Sequence, residues 1–262
     1  MHIRGGIACG TPALCLSNFG HGLEPVFART CHTCGMTAVT PITTVLGPQQ
    51  GLRGRPLILA MHGIGADERD LLGLLVELGV GTTDERFDWI SVRAPLNAPG
   101  QGYSWFPLEG IEGTTADHNA LDLDAIDRSC AALLALLDDI APQSPVIPIG
   151  FSQGAVMAGE LLRAAPERVL AAVLCSGFVI PDEGDEDAQL VSLQRPVFFG
   201  WGERDDSPIP TEAFPMSAQW LAQHTDVSVH QYPELAHAIS PTEIADIKAF
   251  LDRLELPHPT DN

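Results

Sequence analysis

The segment Pro145-Val-Ile-Pro-Ile-Gly-Phe-Ser-Gln-Gly154 decides the fold. Pro145 to Ile149 is a short apolar run ending at a glycine, the pattern of a strand buried on both faces. Gln153 to Ala165 follows with helical apolar spacing and stops before Pro166. A strand that passes directly into a helix needs a tight turn, and Gly150-Phe-Ser-Gln-Gly154 supplies it with a serine at the apex. Glycines on either side let neighbouring backbone come close, so the turn projects the Ser152 hydroxyl above the end of the strand. The start of the helix adds positive potential at that point.

Outward from this unit the same alternation continues in both directions. Towards the N-terminus, Pro56 to His62 and Phe87 to Val92 read as strands, while Asp70 to Gly79 and Leu121 to Ile140 read as helices. Towards the C-terminus, strands are expected at Val169 to Cys175, Pro196 to Trp201 and Val227 to Tyr232, with helices at Thr211 to His224 and Pro241 to Leu254. Strand and helix in alternation imply a mostly parallel sheet with helices on both faces. Functional groups in such sheets lie at the carboxyl ends of the strands.

The polar residues of interest fall there. A serine hydroxyl is a poor nucleophile until an imidazole takes its proton. His237 stands in Tyr232-Pro-Glu-Leu-Ala-His-Ala-Ile-Ser240, between the last strand and the last helix, the place of the base in a serine, acid, histidine chain order. His118, His224 and His230 precede or sit within regular elements and suit surface or packing roles. The orienting acid should follow the strand Pro196 to Trp201, where Gly202-Glu-Arg-Asp-Asp-Ser-Pro-Ile-Pro210 offers Asp205 and Asp206 side by side. Acyl transfer also needs two backbone donors for the oxyanion. His62-Gly-Ile-Gly65 after an early strand makes Ile64 one candidate, and Gln153, next to the nucleophile, is the other.

Composition sets outer bounds. With 262 residues, 45% hydrophobic and 18% charged, the chain suits one soluble catalytic domain. No apolar run approaches the roughly 18 residues of a membrane span, and no convincing secretory leader is present, so a cytoplasmic location without stable membrane insertion is expected. The net charge of −20 repels nucleic acid and reads as a solvated acidic coat. Four of the six cysteines, Cys9, Cys15, Cys31 and Cys34, lie before Met36, where the composition changes abruptly. Cys31-His-Thr-Cys34 has the gap of a zinc half-site, yet no second pair at ligand spacing completes it, so neither metal nor cofactor is expected. The division expected is a disordered or untranslated extension at 1–35, a domain at 36–257 and a tail at 258–262.

From about Leu57 to Leu254 the chain resembles the phospholipase/carboxylesterase family, which includes the acyl-protein thioesterases. The resemblance is carried by His62-Gly-Ile-Gly65, Arg93-Ala-Pro95, Ser104-Trp-Phe106, Gly150-Phe-Ser-Gln-Gly154, Pro196-Val-Phe-Phe199, the aspartate before Ile209-Pro210, and Ala236-His237. It implies the α/β-hydrolase fold, a Ser-Asp-His triad without metal, and hydrolysis of carboxylic esters or thioesters on small or acyl-chain substrates. The acid loop holds one residue more than the family pattern. Counting from Gly202 selects Asp205, whereas counting back from Ile209 selects Asp206. Asp206 is preferred with Asp205 as the alternative, because the step to Ile209 and Pro210 fixes the loop against the next helix. The Gly-rich loop Ala98 to Gly113 should cover the site, with Trp105 and Phe106 lining an acyl pocket. A catalytically silent binding protein, an acyltransferase or a peptidase are the competing functions, and the oligomeric state is left open.

Overall fold

A computed structural model describes residues 39–108, 121–181 and 187–256. The readings of 1–35, of the Cys31–Cys34 pair and of the tail from 258 lie outside these residues. In chain order the elements are β1 (Val45–Leu46), β2 (Leu57–Met61), α1 (Leu72–Glu77), β3 (Asp88–Val92), β4 (Leu96–Asn97), β5 (Tyr103–Ser104), α2 (Leu123–Ile140), β6 (Val146–Phe151), α3 (Gln153–Ala164), β7 (Ala172–Cys175), α4 (Asp187–Leu193), β8 (Pro196–Gly202), α5 (Ala213–His224), β9 (Asp226–Tyr232) and α6 (Pro241–Asp252). A seven-stranded sheet has the order β1-β3-β2-β6-β7-β8-β9, in which β1 is antiparallel to β3 and the other pairs are parallel.

The central strands are apolar on both faces because both faces are covered. Along β2, Leu57, Leu59 and Met61 enter one core and Ile58 and Ala60 the other, as strand alternation requires. Residues of α2, α3, α4 and α5 belong to the first core, and those of α1 and α6 to the second. β3 and β6 flank β2, so the chain reverses direction across the sheet at this strand. The crevice at the carboxyl ends of β2 and β6 is therefore the topological position for a site.

Pro148 stands in the middle of β6, where a missing N–H is normally excluded. β6 accommodates it by local misalignment. Val146 bridges Val169, yet Ile149 pairs with Val173, so the β7 side carries one extra residue across the proline. For the same reason regular β7 begins at Ala172 and not at Val169. Helix α4 is absent from the sequence reading. It is short, and only Leu190 drives it into the core. Helix α6 starts with Pro241 in its first turn, and the Ser240 side chain accepts from the Glu243 N–H at 3.1 Å. Among the described residues, no helix is long and apolar enough to cross a membrane.

Candidate active site

Ser152 joins β6 to α3 with φ 56° and ψ −119°, a left-handed conformation that a serine adopts only when its surroundings impose it. Its own N–H donates to the Cys175 carbonyl at 2.9 Å, tying the turn to the end of β7. The flanking glycines have a steric cause. A Cβ on Gly150 would overlap the Gly154 carbonyl, and one on Gly154 would overlap the carbonyl of Met61 at the end of β2. The helix start is thus pressed onto two strands at once, and Ser152 sits over the crevice with 8% of its surface exposed.

His237 lies on the loop between β9 and α6, with its ring 4.8 Å from the ring of Phe151, the neighbour of Ser152. Its Nδ1 is 2.8 Å from Oδ2 of Asp205. Asp206, the preferred acid of the sequence reading, is exposed and makes no such contact. The correction has a clear origin. Backbone N–H groups of Glu203 and Arg204 donate to the carbonyls of Tyr232 and Leu235, and the Asp205 N–H turns back onto Gly202. These bonds fix the count from β8, so the third residue after Gly202 meets the histidine. The extra residue is taken up beyond it, where Ser207 N–H donates to Asp205 Oδ1 at 3.0 Å and Ile209 N–H to Ser207 Oγ at 3.3 Å. Burial pushes the Asp205 carboxyl up, but hydrogen bonds from His237 and Ser207 outweigh it, and the net shift is downward. His224 stacks on Trp220 and His230 on Phe198, in the packing roles their positions suggest.

The loop after β2 lies directly against the serine turn. A Cβ on Gly63 would stand 3.3 Å from both the Ser152 Cβ and the Phe151 ring. The backbone N–H groups of Ile64 and Gln153 have no acceptor among the described residues, as an oxyanion hole requires. The Gln153 side chain has a separate task that sequence did not reveal. Its Oε1 accepts from the Trp105 N–H at 3.0 Å and from Ser104 Oγ at 3.1 Å, and its Nε2 donates to the Phe106 carbonyl at 2.9 Å.

Trp105 and Phe106 are fully buried, which overturns their reading as an acyl-pocket lining. The indole N–H donates to the His62 carbonyl at 2.8 Å, and Ser129 of α2 donates to the Trp105 carbonyl. These aromatics anchor the loop into the core. His62, also buried, accepts from the Ala94 N–H at Nε2 (3.1 Å), so its proton resides on Nδ1, which donates to the Gly63 carbonyl at 2.7 Å. Burial lowers its pKa and keeps it neutral, a structural histidine joining the loops after β2 and β3.

Behind the site, on the α6 face, Glu243 is wholly buried, and among the described residues its carboxylate meets no donor in good hydrogen-bond geometry, only a weak contact with the Cys175 thiol. A Cβ on Gly200 would stand 2.6 Å from its Oε1. The Cys175 thiol and Tyr232 are its neighbours, and burial raises the Glu243 carboxyl to about 7. Sequence reading missed it, since a glutamate three residues after a capping serine reads as an ordinary helix start. At the opposite ends of the strands, Arg55, Arg86 and Lys248 help line a cleft of about 1040 Å³ that holds none of these groups.

Residues 48–255 match the phospholipase/carboxylesterase family. The chain is 30% identical over 170 residues to acyl-protein thioesterase 1 of Debaryomyces hansenii, an alignment covering 60% of this chain and 71% of that protein. Among solved structures, esterase PE8 superposes with a TM-score of 0.66 at 24% identity, over 82% of this chain and all of that one. The Bacillus cereus carboxylesterase gives 0.65 at 22% identity, over 80% and 94%. Both share the fold of this sheet and its helices. The chain belongs to the phospholipase/carboxylesterase family of α/β-hydrolases and is a serine hydrolase of carboxylic esters or thioesters.

Proposed function

We propose that Ser152, His237 and Asp205 form the catalytic triad and that the substrate is a small or acyl-chain carboxylic ester or thioester. The observation that carries the reading is the 2.8 Å contact between His237 Nδ1 and a nearly buried Asp205 carboxylate, on a ring that packs beside the strained Ser152 turn. Ser152 Oγ attacks the carbonyl carbon while His237 Nε2 accepts its proton. Asp205 holds the proton-bearing Nδ1 towards itself and stabilises the imidazolium. The tetrahedral oxyanion accepts from the Ile64 and Gln153 N–H groups, which have no other partner to lose among the described residues. Collapse transfers the proton from His237 to the leaving alcohol or thiol, and water then repeats the sequence on the acyl-enzyme.

A fluorophosphonate probe and p-nitrophenyl esters of graded acyl length test this together. Wild type should be labelled on Ser152 and turn over the esters without added metal. Ser152→Ala should lose labelling and fall by several orders of magnitude in kcat with an unchanged fold. Activity of that variant within about tenfold of wild type would end the assignment. The length profile names the acyl preference.

A further inference from the structure

The loop that carries Ile64 is held from outside by three side chains with no part in the proton transfers. Glu68, four residues beyond Ile64, is 1% exposed although it is a carboxylate. Arg93, directly after β3, meets it with two parallel bonds, Nε to Oε2 at 2.6 Å and Nη2 to Oε1 at 2.8 Å. Its third nitrogen, Nη1, donates to the Tyr103 hydroxyl at 3.0 Å, and the guanidinium lies over the Tyr103 ring at 4.4 Å. Tyr103 closes the circuit through its backbone. Gly65 N–H donates to the Tyr103 carbonyl, and Tyr103 N–H to the Ala66 carbonyl, each at 2.9 Å. Arg69 reaches Glu68 from the solvent side at 3.2 Å. The hydrogen bonds from Arg93 hold the Glu68 carboxyl below its ordinary range, so the pair is ionic at neutral pH.

A backbone donor lowers a barrier only if it is already in place when charge develops. The Ile64 N–H makes no bond of its own among the described residues, so its direction is set by what grips the residues on either side. His62 fixes the residue before the turn through Ala94. The Glu68, Arg93 and Tyr103 network fixes the residues after it, joining the loops that follow β2 and β3 to the β4–β5 hairpin. A planar, bidentate pair sets orientation as well as distance, which a lysine at position 93 would not do.

We propose that Glu68, Arg93 and Tyr103 are positioning residues that hold the Ile64 N–H on the developing oxyanion, an inference that rests on the reading of Ile64 as an oxyanion donor. The network acts on the transition state and leaves ground-state binding almost untouched.

The test compares full-length wild type, Arg93→Lys and Tyr103→Phe. Arg93→Lys keeps a charge beside Glu68 so that the carboxylate is not stranded, and Tyr103→Phe removes one hydroxyl. For each, kcat and KM on p-nitrophenyl butyrate are measured beside the inhibition constants of a trifluoromethyl ketone, whose serine adduct bears the oxyanion, and of butyrate, which is planar. Arg93→Lys should lower kcat roughly 10- to 100-fold with KM within about threefold, as a misplaced donor would. Ketone affinity should fall in step with kcat/KM while butyrate affinity holds. Tyr103→Phe should move the same quantities in the same direction by a few-fold. The inference is overturned if both variants keep kcat and ketone affinity within about threefold. It is equally overturned if ketone and butyrate affinity fall together with the melting temperature, the signature of a general structural role. If wild type forms no ketone adduct, or Ser152→Ala stays active, the triad reading itself has failed, and this inference falls with it.

Discussion

Replacing Asp205 with asparagine preserves the shape of the side chain and removes its charge, and the structure says how much that should matter. The carboxylate contacts His237 Nδ1 at 2.8 Å with a side chain only 2% exposed, so water cannot take its place. An imidazolium forming about 4 Å from a carboxylate, at an effective dielectric constant of about 20, is stabilised by about 4 kcal/mol. That alone is on the order of 10³ in rate. An asparagine amide can also turn its N–H towards Nδ1, moving the imidazole proton to Nε2 and leaving no acceptor for the serine proton. Asp205→Asn should therefore lose roughly 10³ to 10⁴ in kcat on p-nitrophenyl butyrate, with its melting temperature nearly intact. Asp206→Asn, at an exposed position, should stay within about tenfold. Because the Asp205 carboxyl is held below its ordinary range, its contribution persists through neutrality and fades only on acidification. A large loss on Asp206 with Asp205→Asn nearly normal would refute the geometry of the whole acid loop.

Gln153→Ala should keep its backbone donor but strand the buried polar atoms of the Ser104–Phe106 loop, so that stability falls by about 2 to 3 kcal/mol in urea titrations; an unchanged midpoint would count against that anchoring role. Gly154→Ala should fail to give active enzyme, since the added methyl meets the Met61 carbonyl, and near-normal activity in soluble extract would show that the turn can relax. Glu243 supplies a pH test with a definite sign. Its folded carboxyl titrates at about 7 against 4.5 unperturbed, so the native state is favoured by protonation below 4.5 and progressively loses that advantage as pH rises through about 7. Glu243→Gln removes the burial penalty of the ionised form, and its melting temperature relative to wild type should rise between pH 5 and pH 8, by up to about 3 kcal/mol of stability. Parallel melting curves across that range would contradict the assignment.

The parallel sheet was legible because strands covered on both faces must be continuously apolar, and Leu57 to Met61 or Pro196 to Trp201 admit few other readings. The placing of Ser152 and His237 at the carboxyl ends of their strands was legible because each stands in the short link between a strand and a helix, where local pattern marks the boundary. Which aspartate meets His237 was not. Asp205 and Asp206 differ only in which one the bonds from Glu203 and Arg204 to the β9 loop turn inward, and those partners lie some thirty residues away. Trp105 and Phe106 misled for a related reason. Aromatic residues in a Gly-rich loop suit a pocket lining and a core plug equally well, and the groups that decide the matter, His62, Ser129 and Gln153, come from three distant elements. β7 began late because a proline in the neighbouring strand shifted its register, an effect visible only once the strands are paired.

The close approach of Glu243 to Gly200 bears on how this lineage can change. Any side chain at position 200 would run into the carboxylate, and withdrawing the carboxylate would open a void beside a backbone that has no side chain to fill it. The size of the side chain at one position is therefore tied to that at the other, although they are forty-three residues apart and lie on different elements. In descent the two should behave as a single inherited character: relatives that keep the buried acid on the last helix keep the glycine in the strand beneath it, and those that carry a smaller residue in place of the acid acquire bulk in place of the glycine.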